Sequence, residues 1–183
     1  MNRSSPFFHV LLLIAFFVPA MRAAEVDWEA EKNVATNMST DGPYIPRNPE
    51  QEAVLSAGVW LNGKYNETSG LYADYAVKVP TEGVYQLFVR KFWQHGPMRW
   101  RFDKDEWRTL AQGKLLSSDL LMEYVPLNWV KLGEVRLSAG THAFRVEIIK
   151  DPGYQFSGSY GLDAFKLTTG PFLGESITPG PRG

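Results

Sequence analysis

Two carboxylates stand two residues apart in Trp28-Glu29-Ala30-Glu31. On an extended chain, residues i and i+2 project to the same face, so Glu29 and Glu31 repel each other unless a cation lies between them. A second kind of chemistry is suggested by rings interleaved with polar groups in segments that lack strand periodicity. Trp93-Gln94-His95 is one such segment, and residues 151–160 (Asp-Pro-Gly-Tyr-Gln-Phe-Ser-Gly-Ser-Tyr) are another. Flat aromatic faces suit the C–H patches of a sugar ring, while its hydroxyls need directional polar partners. Trp93, His95, Tyr154, Phe156 and Tyr160 are therefore the candidate ligand contacts, with residues 151–160 the stronger segment and Trp107 and Tyr72 ranked below both.

Catalytic constellations are not apparent. No Gly-x-Ser-x-Gly, His-Glu-x-x-His or phosphate-loop pattern occurs. A glycosidase needs two carboxylates across a cleft, and the one evident pair, Glu29 and Glu31, lies on a single segment. Beyond the leader, the only histidines are His95 and His142, and His142 belongs to a turn. The expectation is a binding protein rather than an enzyme.

The elements that must carry these residues read as strands. Val130, Leu132, Val135 and Leu137 fall at spacings of two around Gly133, and residues 142–148 resume the alternation after Ser138-Ala139-Gly140. Residues 75–90 repeat the scheme with the turn Pro80-Thr81-Glu82-Gly83. Each unit is either a hairpin or a corner between sheets, and the pair argues for an antiparallel all-β domain. Further strands are expected at 26–31, 54–61, 71–79, 83–92, 100–102, 107–110 and 161–168, with a long loop at 32–54 and weak helical character at 113–122.

Composition bounds the setting. A chain of 183 residues suits one domain, and a formal charge of −1 with mixed signs lacks the basic field of a nucleic-acid binder. Residues 1–23 combine Arg3, an apolar run from Phe7 to Val18 and small residues at Ala20 and Ala23, the pattern of a secretory signal peptide. The expected location is secreted, periplasmic or at the cell surface, with no membrane span after cleavage. No cysteine is present, so an exported domain must rely on its core, with or without a metal. The domain is expected at 24–169. Residues 170–183, rich in glycine and proline, read as a linker or disordered tail that could lead to a further domain.

Several motifs occur together in order: Trp28-Glu29-Ala30-Glu31, Leu55-Ser56-Ala57-Gly58, Tyr75-Ala76-Val77-Lys78-Val79-Pro80 with Gly83-Val84-Tyr85 and Arg90, Trp129 through Leu137, Ala139-Gly140-Thr141-His142, and Gly161-Leu162-Asp163-Ala164-Phe165. Together they resemble carbohydrate-binding modules of families 6 and 35 and their galactose-binding-domain-like relatives. The resemblance implies a β-sandwich jelly roll that binds poly- or oligosaccharide without cleaving it, often as an accessory domain of a larger carbohydrate-active protein. A protein-interaction or adhesive domain on the same fold is the alternative. The resemblance also implies a structural calcium ion held by Glu29, Glu31 and Asp163. Relatives commonly carry a sugar-binding asparagine at the position of Gly161, and Trp129 corresponds to a structural tryptophan.

Overall fold

The computed structural model describes residues 23–42, 44–64, 70–92, 96–111, 113–117, 119–149 and 159–173. Among the described residues there are eleven strands: β1 (Glu25–Glu29), β2 (Ala35–Thr36), β3 (Leu61–Lys64), β4 (Leu71–Val79), β5 (Gly83–Phe92), β6 (Met98–Phe102), β7 (Arg108–Leu110), β8 (Asp119–Met122), β9 (Val125–Leu137), β10 (Gly140–Ile148) and β11 (Ser159–Thr168). One short helix, α1 (Pro49–Val54), precedes β3.

The strands form two antiparallel sheets. The first has the order β1-β11-β5-β9-β8, with β3 also pairing β11, and the second the order β2-β4-β10-β6-β7. β4 and β5 therefore lie in different sheets, as do β9 and β10, so both strand-turn-strand units are corners rather than hairpins. At the first corner the Tyr85 hydroxyl donates to the Thr81 carbonyl at 2.7 Å, pinning the turn to the strand that leaves it. The architecture is the expected β-sandwich jelly roll. β1 and β11 pair with Glu25 opposite Thr168, and the Ala24 amide donates to Thr169 Oγ1, so the two ends of the domain are neighbours.

Alternation accounts for the core. Tyr75, Val77 and Val79 of β4, Tyr85, Leu87 and Val89 of β5, Trp100 and Phe102 of β6, and Phe144, Val146 and Ile148 of β10 all point between the sheets. Trp28 stacks on Phe165 at 5.2 Å and meets Phe144 edge-on at 5.6 Å, joining β1, β11 and β10 through rings. Gly133 sits where a bulge interrupts the β5–β9 register, and a Cβ there would come 3.0 Å from the Trp100 ring. The missing side chain lets Trp100 fill the space between the sheets.

Two smaller clusters lie outside this core. Trp60, Phe92, Leu55, Leu121, Val125 and Leu127 pack at one end, joined by Tyr44. On the outer face of the first sheet, Phe88, Trp129 and Ala164 are covered by Phe172, which stacks on Phe88 at 4.4 Å. Trp129 is a packed residue, as its motif implied. The segment following residue 169 is not wholly tail, because Phe172 closes this cluster.

Three local expectations are corrected. Residues 54–61 do not form a strand: α1 ends at Val54, bends follow, and β3 begins at Leu61. The helix begins with Asn48 as N-cap, its side chain accepting from the Gln51 amide at 2.9 Å, with Pro49 in the first turn. Gln51 returns a bond by accepting from the Arg47 amide at 2.8 Å. Residues 113–122 are not helical: Leu115 bridges Val130 and β8 extends along β9, because pairing with a sheet edge outweighs a weak local preference. The first strand stops at Glu29, leaving Glu31 in a turn.

Candidate functional site

The acidic corner joins β1, the segment after α1, β5, β8 and β11. Asp163 is 0% exposed. Its Oδ1 accepts from the Ser56 amide at 3.1 Å, and its Oδ2 accepts from Arg90 Nη1 at 2.8 Å. Arg90, itself 3% exposed, also donates to the Val54 carbonyl and to Asp119 Oδ2, each at 2.8 Å. Ser56 donates its hydroxyl to Glu29 Oε2. Glu31 differs, because both of its carboxylate oxygens are buried without a hydrogen-bond partner.

Burial pushes the Glu29, Glu31 and Asp163 carboxyls up, Asp163 to about 6 even with Arg90 against it. The negative field of Glu29 and Asp163 adds to the rise at Glu31. The Arg90 guanidinium binds Asp163 and Asp119, and its field and that of Lys32 lower Glu29, while Glu31 feels Lys32 against Glu29 and Asp163. Orphaned oxygens on Glu31 beside an acidic neighbour fit a hard cation, which prefers oxygen ligands. The fit is to Glu29 and Glu31, since Asp163 has both oxygens engaged. Among the described residues, no three acidic or histidine side chains converge into a ready metal cage.

The expected ligand contacts have mixed placement. Trp93, His95, Tyr154 and Phe156 lie outside the described residues. Tyr160 is described and is not a surface ring. It is 2% exposed, belongs to the main core and donates its hydroxyl to the Gly96 carbonyl at 3.1 Å. The reason is register: β11 starts at Ser159, so Tyr160 and Leu162 share the inward row. Gly161 faces the opposite way, and a Cβ there would lie 2.2 Å from the Trp60 ring. The indole therefore occupies the space that any side chain at position 161 would need.

The outer face of the second sheet gathers polar and aromatic groups from adjacent strands. Glu147 of β10 accepts from Arg99 of β6 and from Arg145 of β10, both at 2.7 Å. Arg145 also donates to Asp74 of β4 at 2.8 Å and lies 4.2 Å from the Tyr72 ring centroid. The Trp107 ring lies 4.4 Å from the guanidinium carbons of both Arg99 and Arg101. Burial raises the Glu147 carboxyl, but its bonds to Arg145 and Arg99 prevail and hold it below the usual range. An open cavity of about 300 Å³ is lined by Tyr72, Arg99, Arg145 and Glu147. A neighbouring one of about 470 Å³ shares Arg145 and adds Asp74, Arg101 and Thr141. Sequence spacing ranks Tyr72 and Trp107 low because it does not reveal that β4, β10 and β6 are adjacent.

A serine, a histidine and an aspartate also meet, at the β9–β10 corner. His142 Nδ1 is 2.7 Å from Asp103 Oδ2, and Nε2 is 3.4 Å from Ser138 Oγ but 3.1 Å from the Ser138 carbonyl. A general base needs a free lone pair at Nε2. Here a carbonyl oxygen faces that nitrogen more closely than the hydroxyl does, so Nε2 is placed to donate rather than to take the Ser138 proton. The bond to Asp103 raises the His142 pKa accordingly. The arrangement clamps a corner and does not activate a nucleophile.

No family profile matches the chain, and no curated protein matches it. Solved structures do match. A GH26-CBM35 β-(1,4)-mannanase of Podospora anserina superimposes with a TM-score of 0.55 at 18% identity, over 87% of this chain and 31% of that one. The C-terminal CBM6 of a Zobellia galactanivorans laminarinase gives 0.51 at 18% identity, over 79% and 98%. A CBM35 of Paenibacillus barcinonensis gives 0.51 at 12%, over 79% and 99%. The chain has a CBM6/35-like fold. It spans about a third of the length of the mannanase chain and nearly all of the two isolated modules.

Proposed function

We propose that the protein is a non-catalytic, exported carbohydrate-binding domain that serves as an accessory module of a larger carbohydrate-active protein. The observation that carries the reading is the outer face of the second sheet. There Tyr72 lines an open cavity with Arg99, Arg145 and Glu147, Asp74 lies beside it, and the Trp107 ring adjoins through Arg99 and Arg101. Sugars need that combination: stacking for C–H patches and directional bonds for hydroxyls. Catalysis is disfavoured because Asp74 and Glu147 are tied to Arg145. Glu147, whose bonds to Arg145 and Arg99 hold its carboxyl below the usual range, is a poor general acid. Trp93, His95, Tyr154 and Phe156 remain proposed sugar contacts.

A calcium ion held by Glu29 and Glu31 belongs to the proposal. When bound, it would neutralise two carboxylates raised above their ordinary values chiefly by burial, with the fields of Asp27 at Glu29 and of Glu29 and Asp163 at Glu31 adding to it. The protein's own contribution is to bring the turn at Glu31 against Glu29 and to anchor Asp163 through Arg90.

A second reading, a protein-interaction domain, draws on one observation. Leu115, Leu116, Leu120 and Tyr124 are exposed around the sheet edge formed by β8, with Tyr124 82% exposed at a left-handed turn (φ 64°). Retention on an immobilised polysaccharide panel tests the first reading against the second. Retention that Trp107→Ala abolishes supports glycan binding, and no retention on any polysaccharide favours a protein partner.

A further inference from the structure

Arg145 of β10 and Arg101 of β6 stand directly opposite each other in the ladder, both half-buried on the outer face of the second sheet. Like charges at directly opposed positions destabilise a sheet. The acceptors around them are unevenly shared. Arg145 donates Nε to Glu147 and Nη1 to both oxygens of Asp74, and Arg99 also binds Glu147. Among the described residues Arg101 has neither a hydrogen bond nor an ion pair, and its guanidinium carbon lies over the Trp107 ring at 4.4 Å. A ring takes the face of a guanidinium and leaves the N–H donors in its plane. The donors of Arg101 and Nη2 of Arg145 are therefore uncommitted on adjacent strands.

The open cavity of about 470 Å³ brings both guanidiniums to one space. Its floor is low beside them, because two alanines, Ala76 and Ala143, are opposed in the next outward row. The carboxylates that line it are already engaged, Asp74 by Arg145 and Asp103 by His142 and the Ala143 amide. Neither can turn to Arg101 without giving up a donor of its own.

We infer that Arg101 and Arg145 form an anion subsite on this face, and that the anion is a sulfate ester carried by the glycan. The inference rests on the glycan-binding reading and names the class of glycan. A neutral hydroxyl could accept from Arg101 but would leave the opposed charges facing each other. An anion between them removes that repulsion and takes donors from both strands at once. A carboxylate between two guanidiniums spends one oxygen on each, as Glu147 does with Arg99 and Arg145. A sulfate ester has three terminal oxygens, so it can bridge both strands and still meet a further in-plane donor of Arg101. The low floor at Ala76 and Ala143 leaves room for the sugar ring that carries the ester.

The test is isothermal titration of the protein with a sulfated galactan, a sulfated fucan and a sulfated glycosaminoglycan, each against the same polymer after chemical desulfation, and with polygalacturonate. An ionic strength of about 0.15 M screens unspecific long-range fields. At least one sulfated polymer should bind about tenfold or more tightly than its desulfated parent, the scale of one charge-assisted bond. Arg101→Gln should bring that ratio to within about twofold, with the melting temperature unchanged or raised because a like-charge pair is removed. Arg101→Lys, which keeps the charge and loses the fork, should give an intermediate ratio, and it keeps the inference testable if Arg101→Gln does not fold. Three results would each overturn the inference while leaving the glycan reading standing: polysaccharide binding with no preference for sulfated forms, a preference that survives both Arg101 variants, or polygalacturonate bound as tightly as the best sulfated polymer. No binding to any polysaccharide, neutral or charged, would overturn the glycan reading itself.

Discussion

Arg90 and Asp163 meet at 2.8 Å with both side chains almost wholly buried, and through them the segment after α1, β5, β8 and β11 are joined. A buried ion pair adds little over a well-packed apolar substitute, but removing one partner strands the other. Arg90→Met should therefore cost about 3–5 kcal/mol in denaturant unfolding. Restoring neutrality with Arg90→Met and Asp163→Leu together should cost less than Arg90→Met alone. Equal or greater loss in the double variant would show that the pair contributes more than mutual neutralisation.

The acidic corner predicts an inverted pH response in the metal-free protein. The carboxyls of Glu29, Glu31 and Asp163 are raised in the folded state. The folded protein therefore binds more protons than the unfolded chain between the unfolded and folded values. Stability should rise as pH falls from 7 through about 6, where Asp163 titrates, toward the ordinary carboxylate range. Calcium should raise the melting temperature at pH 7 and flatten this dependence, because a ligand bound only by the folded state stabilises it. Identical melting curves in chelator and in excess calcium would remove the ion from the proposal.

The corner clamp has the same sign at its histidine, in a higher pH window. His142 is raised by its bond to Asp103, so its contribution is present in full below the ordinary histidine value and is lost as pH rises through the folded one. Asp103 is raised by burial but lowered further by bonds from His142 and the Ala143 amide. Its contribution is lost only in acid. His142→Ala should lower the melting temperature more at pH 5.5 than at pH 8, as a thermal series across that range would record. An equal loss at both values would reduce the clamp to packing.

On the sheet face, Trp107→Ala and Tyr72→Ala should each weaken glycan affinity about tenfold or more, the scale of a lost stacking contact. Both rings sit on the surface of the sheet rather than between the sheets, so melting temperatures should move little. Isothermal titration with whichever polysaccharide the panel identifies separates the two effects. A large drop in stability with unchanged affinity would reassign these rings to packing.

Phe172→Ala should destabilise the domain by about 1–2 kcal/mol, because it uncovers Phe88 and Trp129 on the outer face of the first sheet. Chemical denaturation of the two proteins side by side would measure the loss. No change would mean that the ring cluster is satisfied without its cover.

Much of the fold was legible because period-two alternation is strong in β4, β5, β9 and β10, and because two turn signals separate them. What alternation leaves undecided is which sheet receives the next strand, since corners and hairpins share the same turn residues. The helix escaped notice although Asn48-Pro49 with Gln51 is an N-terminal capping signal; its 6 residues are too few to show a helical period. Tyr160 was misplaced by two residues of strand length: with β11 starting at Ser159, the same alternation that buries Leu162 buries Tyr160. The sheet-face cluster had no sequence signal, because Tyr72, Arg99 and Arg145 are neighbours only through pairing across β4, β10 and β6.

The pairing of Glu25 with Thr168 and the bond from Ala24 to Thr169 place entry and exit of the domain side by side. A unit whose two ends touch can be spliced into a surface loop of another protein without prying that loop apart. Such a domain is portable: a host gains its surfaces while its own chain path shifts by little more than the spacing between two strands.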